Sequence, residues 1–87
     1  MLKVVQTCGI NSAVESCEKF AKEIDLVVGR YWGADWGDTC ASDCKMNDRA
    51  LKSGERIVAL YRTSKGKVFI ITDCGHVVTT ILFAHEY

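Results

Sequence analysis

Eighty-seven residues, 48% apolar and 25% charged, describe one globular domain with a modest core and argue against disorder. A formal net charge of zero argues against a dedicated nucleic-acid binder, for which a basic domain is expected. No apolar run approaches the roughly 20 residues of a membrane span. The opening Met1-Leu2-Lys3-Val4-Val5 lacks the length and cleavage site of a secretory signal, so a cytoplasmic protein without a membrane partner is expected.

In chain order, Leu2 to Gln6 reads as a short strand that joins a sheet at its edge, and Thr7-Cys8-Gly9 as a turn. Ser12 and Glu15 fit a capping box, in which each side chain satisfies a free backbone N–H. The helix that follows runs to about Glu23, with Ala13, Val14, Cys17, Phe20, Ala21 and Ile24 as one apolar stripe. Glu15 with Lys19, and Glu18 with Lys22, are favourable pairs four apart on its wet face. Asp25 is placed to cap a second helix from Leu26 to about Trp32, with Leu26, Val27, Arg30 and Tyr31 facing inward or lining a groove. Tyr31 to Asp38, YWGADWGD, forms a tight aromatic loop. Asp38 or Thr39 then caps a third helix from Cys40 to Lys52, which Gly54 closes.

The C-terminal third carries three apolar runs: Ile57–Tyr61, Val68–Ile71 and Val77–Phe83. Each is rich in β-branched and aromatic residues and too short for a helix. Ser64-Lys65-Gly66 and Asp73-Cys74-Gly75-His76 separate them, and a polar spacer with glycine suits a hairpin. The expectation is an α+β fold: N-terminal helices packed on a small antiparallel sheet, with a C-terminal three-strand meander and an N-terminal edge strand. The runs alternate poorly, since Ile57, Ala59 and Tyr61 point one way and Val58 and Leu60 the other. Both sheet faces therefore call for cover, and helices supply only one. The N-terminal segment, a further helix or a second copy in a homodimer would cover the other.

Five cysteines, an odd count without an export signal, argue against a disulfide framework. Most read as small hydrophobes kept reduced. Cys40 and Cys44 with Cys74 and His76 compose a candidate zinc set, although structural zinc pairs sit on tighter turns. Cys8 is the candidate reactive thiol, because a helix start favours thiolate. Asp35, Asp38, Asp43 and Asp48 cluster in sequence and could serve acid–base or Mg²⁺ chemistry, but helix capping and solvated charge, with Trp anchoring the loop, account for them better. No cofactor motif and no catalytic set emerges. Trp32, Asp35, Trp36 and Asp38, with Arg56 and Arg62, are the candidate partner-contact residues, since Trp supplies large contact area at interface centres. An acidic stretch, Asp35 to Asp48, precedes a basic one that holds Lys52, Arg56, Arg62, Lys65 and Lys67; such patches suit a complementary partner.

The segments DWGD (Asp35–Asp38), NDRALKSGERIVALYRT (Asn47–Thr63), FIIT (Phe69–Thr72) and VTTILFAHEY (Val78–Tyr87) resemble a family of short bacterial proteins carried by plasmids, integrated elements and phages. These are called plasmid-related proteins, or a type I restriction subunit. The resemblance covers about the last fifty-five residues and, more loosely, the two helices before them. Asp73-Cys74-Gly75-His76-Val77 and Ala84-His85 depart from its pattern. It implies a mobile-element context and no reaction; the chain is too short for a methyltransferase. The resulting expectation is a non-enzymatic module that binds a host protein or protein complex, as an inhibitor of a CRISPR effector or a restriction enzyme would. The alternative is a small accessory protein that is metal-dependent or binds nucleic acid.

Overall fold

A computed structural model describes residues 3–87. Its elements run β1 (Lys3–Gln6), α1 (Cys8–Ser16), α2 (Glu18–Trp32), α3 (Ala41–Ser53), β2 (Ile57–Thr63), β3 (Gly66–Thr72) and β4 (Val78–Phe83), and a 3₁₀ turn over Ala84–Glu86 follows. The α+β class and the C-terminal meander stand as expected: β2 pairs antiparallel with β3, and β3 with β4. The N-terminal strand also joins at an edge, but parallel to β4, so the four-stranded sheet is mixed, in the order β1-β4-β3-β2. Leu2, the first residue of the strand read from sequence, lies outside the described residues.

The helices divide differently from the sequence reading. The break falls at Cys17, not at Asp25. Cys17 is one extended residue (φ −142°, ψ 107°) whose N–H closes α1 on Ala13 and whose carbonyl opens α2 to Ala21. Thr7, not Ser12, caps α1, with its hydroxyl accepting from the Ile10 N–H. Asp25 is an exposed position inside α2. The reason is the apolar stripe: Phe20, Ile24, Val27 and Tyr31 fall at spacings of four, three and four and are all buried, so one continuous helix buries them together. Leu26, read as inward or groove-lining, is exposed and lines a groove with Glu18, Lys19, Lys22 and Glu23. Gly54 ends α3 in the left-handed region at φ 79°, as its sequence position suggested.

Strand parity sets two faces. Ile57, Ala59 and Tyr61 of β2, Val68 and Ile70 of β3, and Ile81 and Phe83 of β4 share the inner face. There they pack with Ile10, Phe20, Ile24, Val27, Tyr31 and Trp36. Phe20 stacks on Phe83 with centroids 5.6 Å apart. A buried hydroxyl chain runs from Tyr31 to Thr72 and on to Thr79, so the polar atoms in this core are satisfied. Burial pushes the Tyr31 phenol up. The outer face carries Val58 and Leu60 of β2, Phe69 and Ile71 of β3, Leu82 of β4 and Val5 of β1. Ile71 and Leu82 are buried there, and Asp43, Met46 and Asn47 of α3 flank Val58. Tyr87 lays its ring against Phe69, centroids 5.0 Å apart, and its hydroxyl accepts from Arg56 at 3.0 Å.

Candidate functional site

The α2–α3 loop and α3 line up along the outer edge of β2. Asn47, buried on α3, donates its amide to the Val58 carbonyl (2.9 Å) and accepts from the Val58 N–H (3.3 Å). Its carboxamide thus substitutes for the backbone of a neighbouring strand. One step along, the Leu60 N–H donates to the Thr39 hydroxyl at 2.8 Å, and the Asp38 N–H donates to the Leu60 carbonyl at 2.8 Å. Further on, the Arg62 N–H donates to the Asp38 carboxylate at 3.0 Å. The N–H and carbonyl of Val58 and Leu60 and the N–H of Arg62 thus all have partners, and an edge so occupied cannot add another strand.

This arrangement redistributes the six residues singled out from sequence. Trp36 is 5% exposed. Its ring meets Tyr31 edge-on, centroids 5.5 Å apart, and its indole N–H donates to Asp48 at 2.9 Å. It anchors the loop from within and offers no contact surface, which corrects its reading as a partner hot spot. Asp35 takes a bidentate contact from Arg30, at 2.9 and 3.2 Å, and a third bond from the Gly37 N–H. These donors hold its carboxyl below the usual carboxylate range, the Arg30 bond first. The Asp35 carbonyl also accepts from the buried Tyr61 hydroxyl at 2.7 Å. Trp32 is 48% exposed and stands edge-on to Tyr31, to the side of the sheet.

Asp38, Arg56 and Arg62 border the outer face at separate points. Asp38, Thr39, Cys40 and Asp43 form one wall of a groove of about 300 Å³ whose floor is Val58, Leu60 and Phe69. A second groove, of about 230 Å³, continues it between Met46 and Asn47 of α3 and Arg56 and Val58 of the sheet. Arg62 and Lys67 are cross-strand neighbours at one end of the same outer face. Phe69, Tyr87 and Met46 are not among the contact residues read from the sequence. The signal for them was the non-alternating apolar runs, which said that a second face needed cover without saying which residues would remain half-exposed.

The other candidates separate. α3 is thirteen residues long, about 20 Å at 1.5 Å per residue. Cys40 lies at its start, whereas the Cys74 turn is tied to its end through the Gly75 N–H to Gly54 carbonyl bond, 2.8 Å. His76 sits against the Glu55 carbonyl. The zinc set is therefore divided between the two ends of a helix, and among the described residues no three His, Cys, Asp or Glu side chains converge on a point. Burial pushes the Cys44 thiol up, away from thiolate. Cys8 is exposed at the start of α1. Three of the four loop and helix carboxylates are engaged elsewhere, Asp35 with Arg30, Asp38 with the β2 backbone and Asp48 with the Trp36 indole, and Asp43 lines the groove beside Asp38.

Among the described residues no helix is long and apolar enough to cross a membrane. Comparison with protein-family models, curated proteins and solved structures finds no match.

Proposed function

We propose that this chain is a non-enzymatic protein-binding module whose working surface is the outer face of its sheet. The observation that carries the reading is that face itself: Val58, Leu60 and Phe69 are half-exposed between rims of Asp38 and Asp43 on one side and Arg56, Arg62 and Lys67 at the ends. An apolar centre with a charged rim is the usual anatomy of a protein interface. Acidic and basic rim segments favour one docking orientation over others. The resemblance of the C-terminal half to proteins of mobile elements supports a host protein as the partner, with a defence enzyme the target that such an element would gain most from blocking.

Affinity capture from host lysate tests this, with wild-type chain and Phe69→Asp as parallel baits whose folding is checked by circular dichroism. One stoichiometric protein held by the wild type and lost with Phe69→Asp is the expected result. Equal capture by both baits overturns the surface assignment. Retention of nucleic acid, falling steeply with salt, would replace a protein partner with a phosphate backbone.

A further inference from the structure

The two edges of the sheet are treated oppositely. That of β2 is occupied, bond by bond, by Asn47, Thr39 and Asp38. That of β1 is open. The Lys3 and Thr7 N–H groups donate to Val77 and Ile81 across the β1–β4 ladder. Alternation along a strand therefore turns the N–H and C=O of Val4 and Gln6 outward. Among the described residues those groups take no other hydrogen bond, and Val4 is 42% exposed.

From this we infer that β1 pairs antiparallel with β1 of a second copy, joining two sheets into one. The occupant is fixed by self-complementarity. A two-fold axis at Val5 sets Val4 opposite Gln6 of the second copy, and Gln6 opposite its Val4, so all the outward groups exchange bonds. Val5 meets its own equivalent on the outer face, where it is half-buried already. Lys3 falls opposite Thr7 of the second copy. That threonine's hydroxyl donates to the Glu86 carboxylate at 2.8 Å. Each Lys3 is thus brought to a carboxylate of the other copy rather than to its own equivalent, an opposite-charge cross-strand arrangement made twice by symmetry. Because β2 is occupied and β1 is the one free edge among the described residues, the assembly closes at two and does not propagate into a fibre. The pairing leaves the outer faces unburied and is independent of the partner surface proposed above.

Sedimentation velocity on the full chain over a micromolar range, with amide hydrogen exchange on the same samples, tests the inference. The expected result is a dimer in which the outward Val4 and Gln6 N–H groups are protected. Val4→Pro removes a donor that points away from β4, and so should spare the β1–β4 ladder. It should weaken the dimer by about 30-fold, the equivalent of two strand bonds. Lys3→Glu, which leaves the backbone untouched, should also weaken it, more at low salt than at high. Leu60→Asp, on the outer face, should leave it intact. A monomer throughout, with Val4 and Gln6 exchanging freely, overturns the inference. So does a dimer that survives Val4→Pro and Lys3→Glu, or one lost with Leu60→Asp, which would place the copies face to face.

Discussion

Asn47 shows how much one side chain can decide. Its amide holds both the N–H and the carbonyl of Val58 while being buried itself. Asn47→Leu keeps the size and leaves both Val58 groups unpaired at a strand edge. The expected loss is about 2–3 kcal/mol in urea unfolding, with a gain in concentration-dependent association as the edge opens. Trp36 belongs to the same scale. Because its ring is in the core, Trp36→Ala should cost about 3–5 kcal/mol, read as a lowered unfolding midpoint. Loss of partner binding in that variant would report on folding and not on contact. The surface is therefore probed at Phe69, and Trp36 is left for stability. The spacing of Asn47 for packing and a tryptophan anchoring the loop were legible in the sequence; the partners that fix both roles were not. An asparagine on a helix and a tryptophan in a loop become an edge cap and a core residue only through groups distant along the chain.

At the scale of elements, the connections hold the sheet in place by ionised carboxylates. Glu23 of α2 accepts from the Ser64 N–H and hydroxyl at the β2–β3 turn. Glu86 accepts from the Phe83 N–H and the Thr7 hydroxyl, tying the 3₁₀ turn to the end of β1. Those bonds lower both carboxyls below their ordinary value of 4.5, the Ser64 hydroxyl leading at Glu23 and the Phe83 N–H at Glu86. A depressed folded-state value means stabilisation that is present above the unfolded value and is lost as pH falls below it. Thermal unfolding should thus give a flat melting temperature from pH 7 to about 5 and a decline below the usual carboxylate range. In Glu86→Gln the decline should be shallower. The α2–α3 loop depends on Gly37, at φ 63°, where an added Cβ would clash with the edge of the Tyr61 ring and with the Leu60 carbonyl. Gly37→Ala should cost at least about 2 kcal/mol by denaturant unfolding. Gly54→Ala, also at positive φ but facing open space, should cost about 1 kcal/mol.

Across the whole molecule the sheet is asymmetric. Its inner face is filled by α1, α2 and the aromatic loop; on its outer face Ile71 and Leu82 are buried, α3 flanks Val58, and the Tyr87 ring, held by the Arg56 side chain, lies against Phe69. That strap is exposed, with Tyr87 63% accessible, so it caps Phe69 without sealing the platform. Any ligand that takes the whole face must meet or move it. Tyr87→Ala should therefore leave the melting temperature within about 2 °C, as a surface contact would. It should change partner affinity in the capture experiment above, in a direction that tells whether the ring is part of the site or its cover.

What the sequence determined by itself was whatever depends on short-range pattern. The three β-branched runs with glycine-bearing turns specify the meander, the 3.6-residue stripe specifies helix on the inner face, and Gly54 marks the end of α3, because strand, helix and cap signals each lie within a few neighbouring residues. Only the tertiary structure decided the rest. The direction in which β1 enters the sheet and the continuity of α2 past Asp25 follow from which arrangement buries Ile10, Phe20, Ile24, Val27 and Tyr31 against the same strands. The fate of the YWGADWGD loop turned on bonds that span more than ten residues: Asn47 to Val58, Trp36 to Asp48, Asp38 to Arg62 and Asp35 to Tyr61. A residue's type states what it can bond to. Its surroundings, fixed by the burial of the whole chain, state what it does bond to.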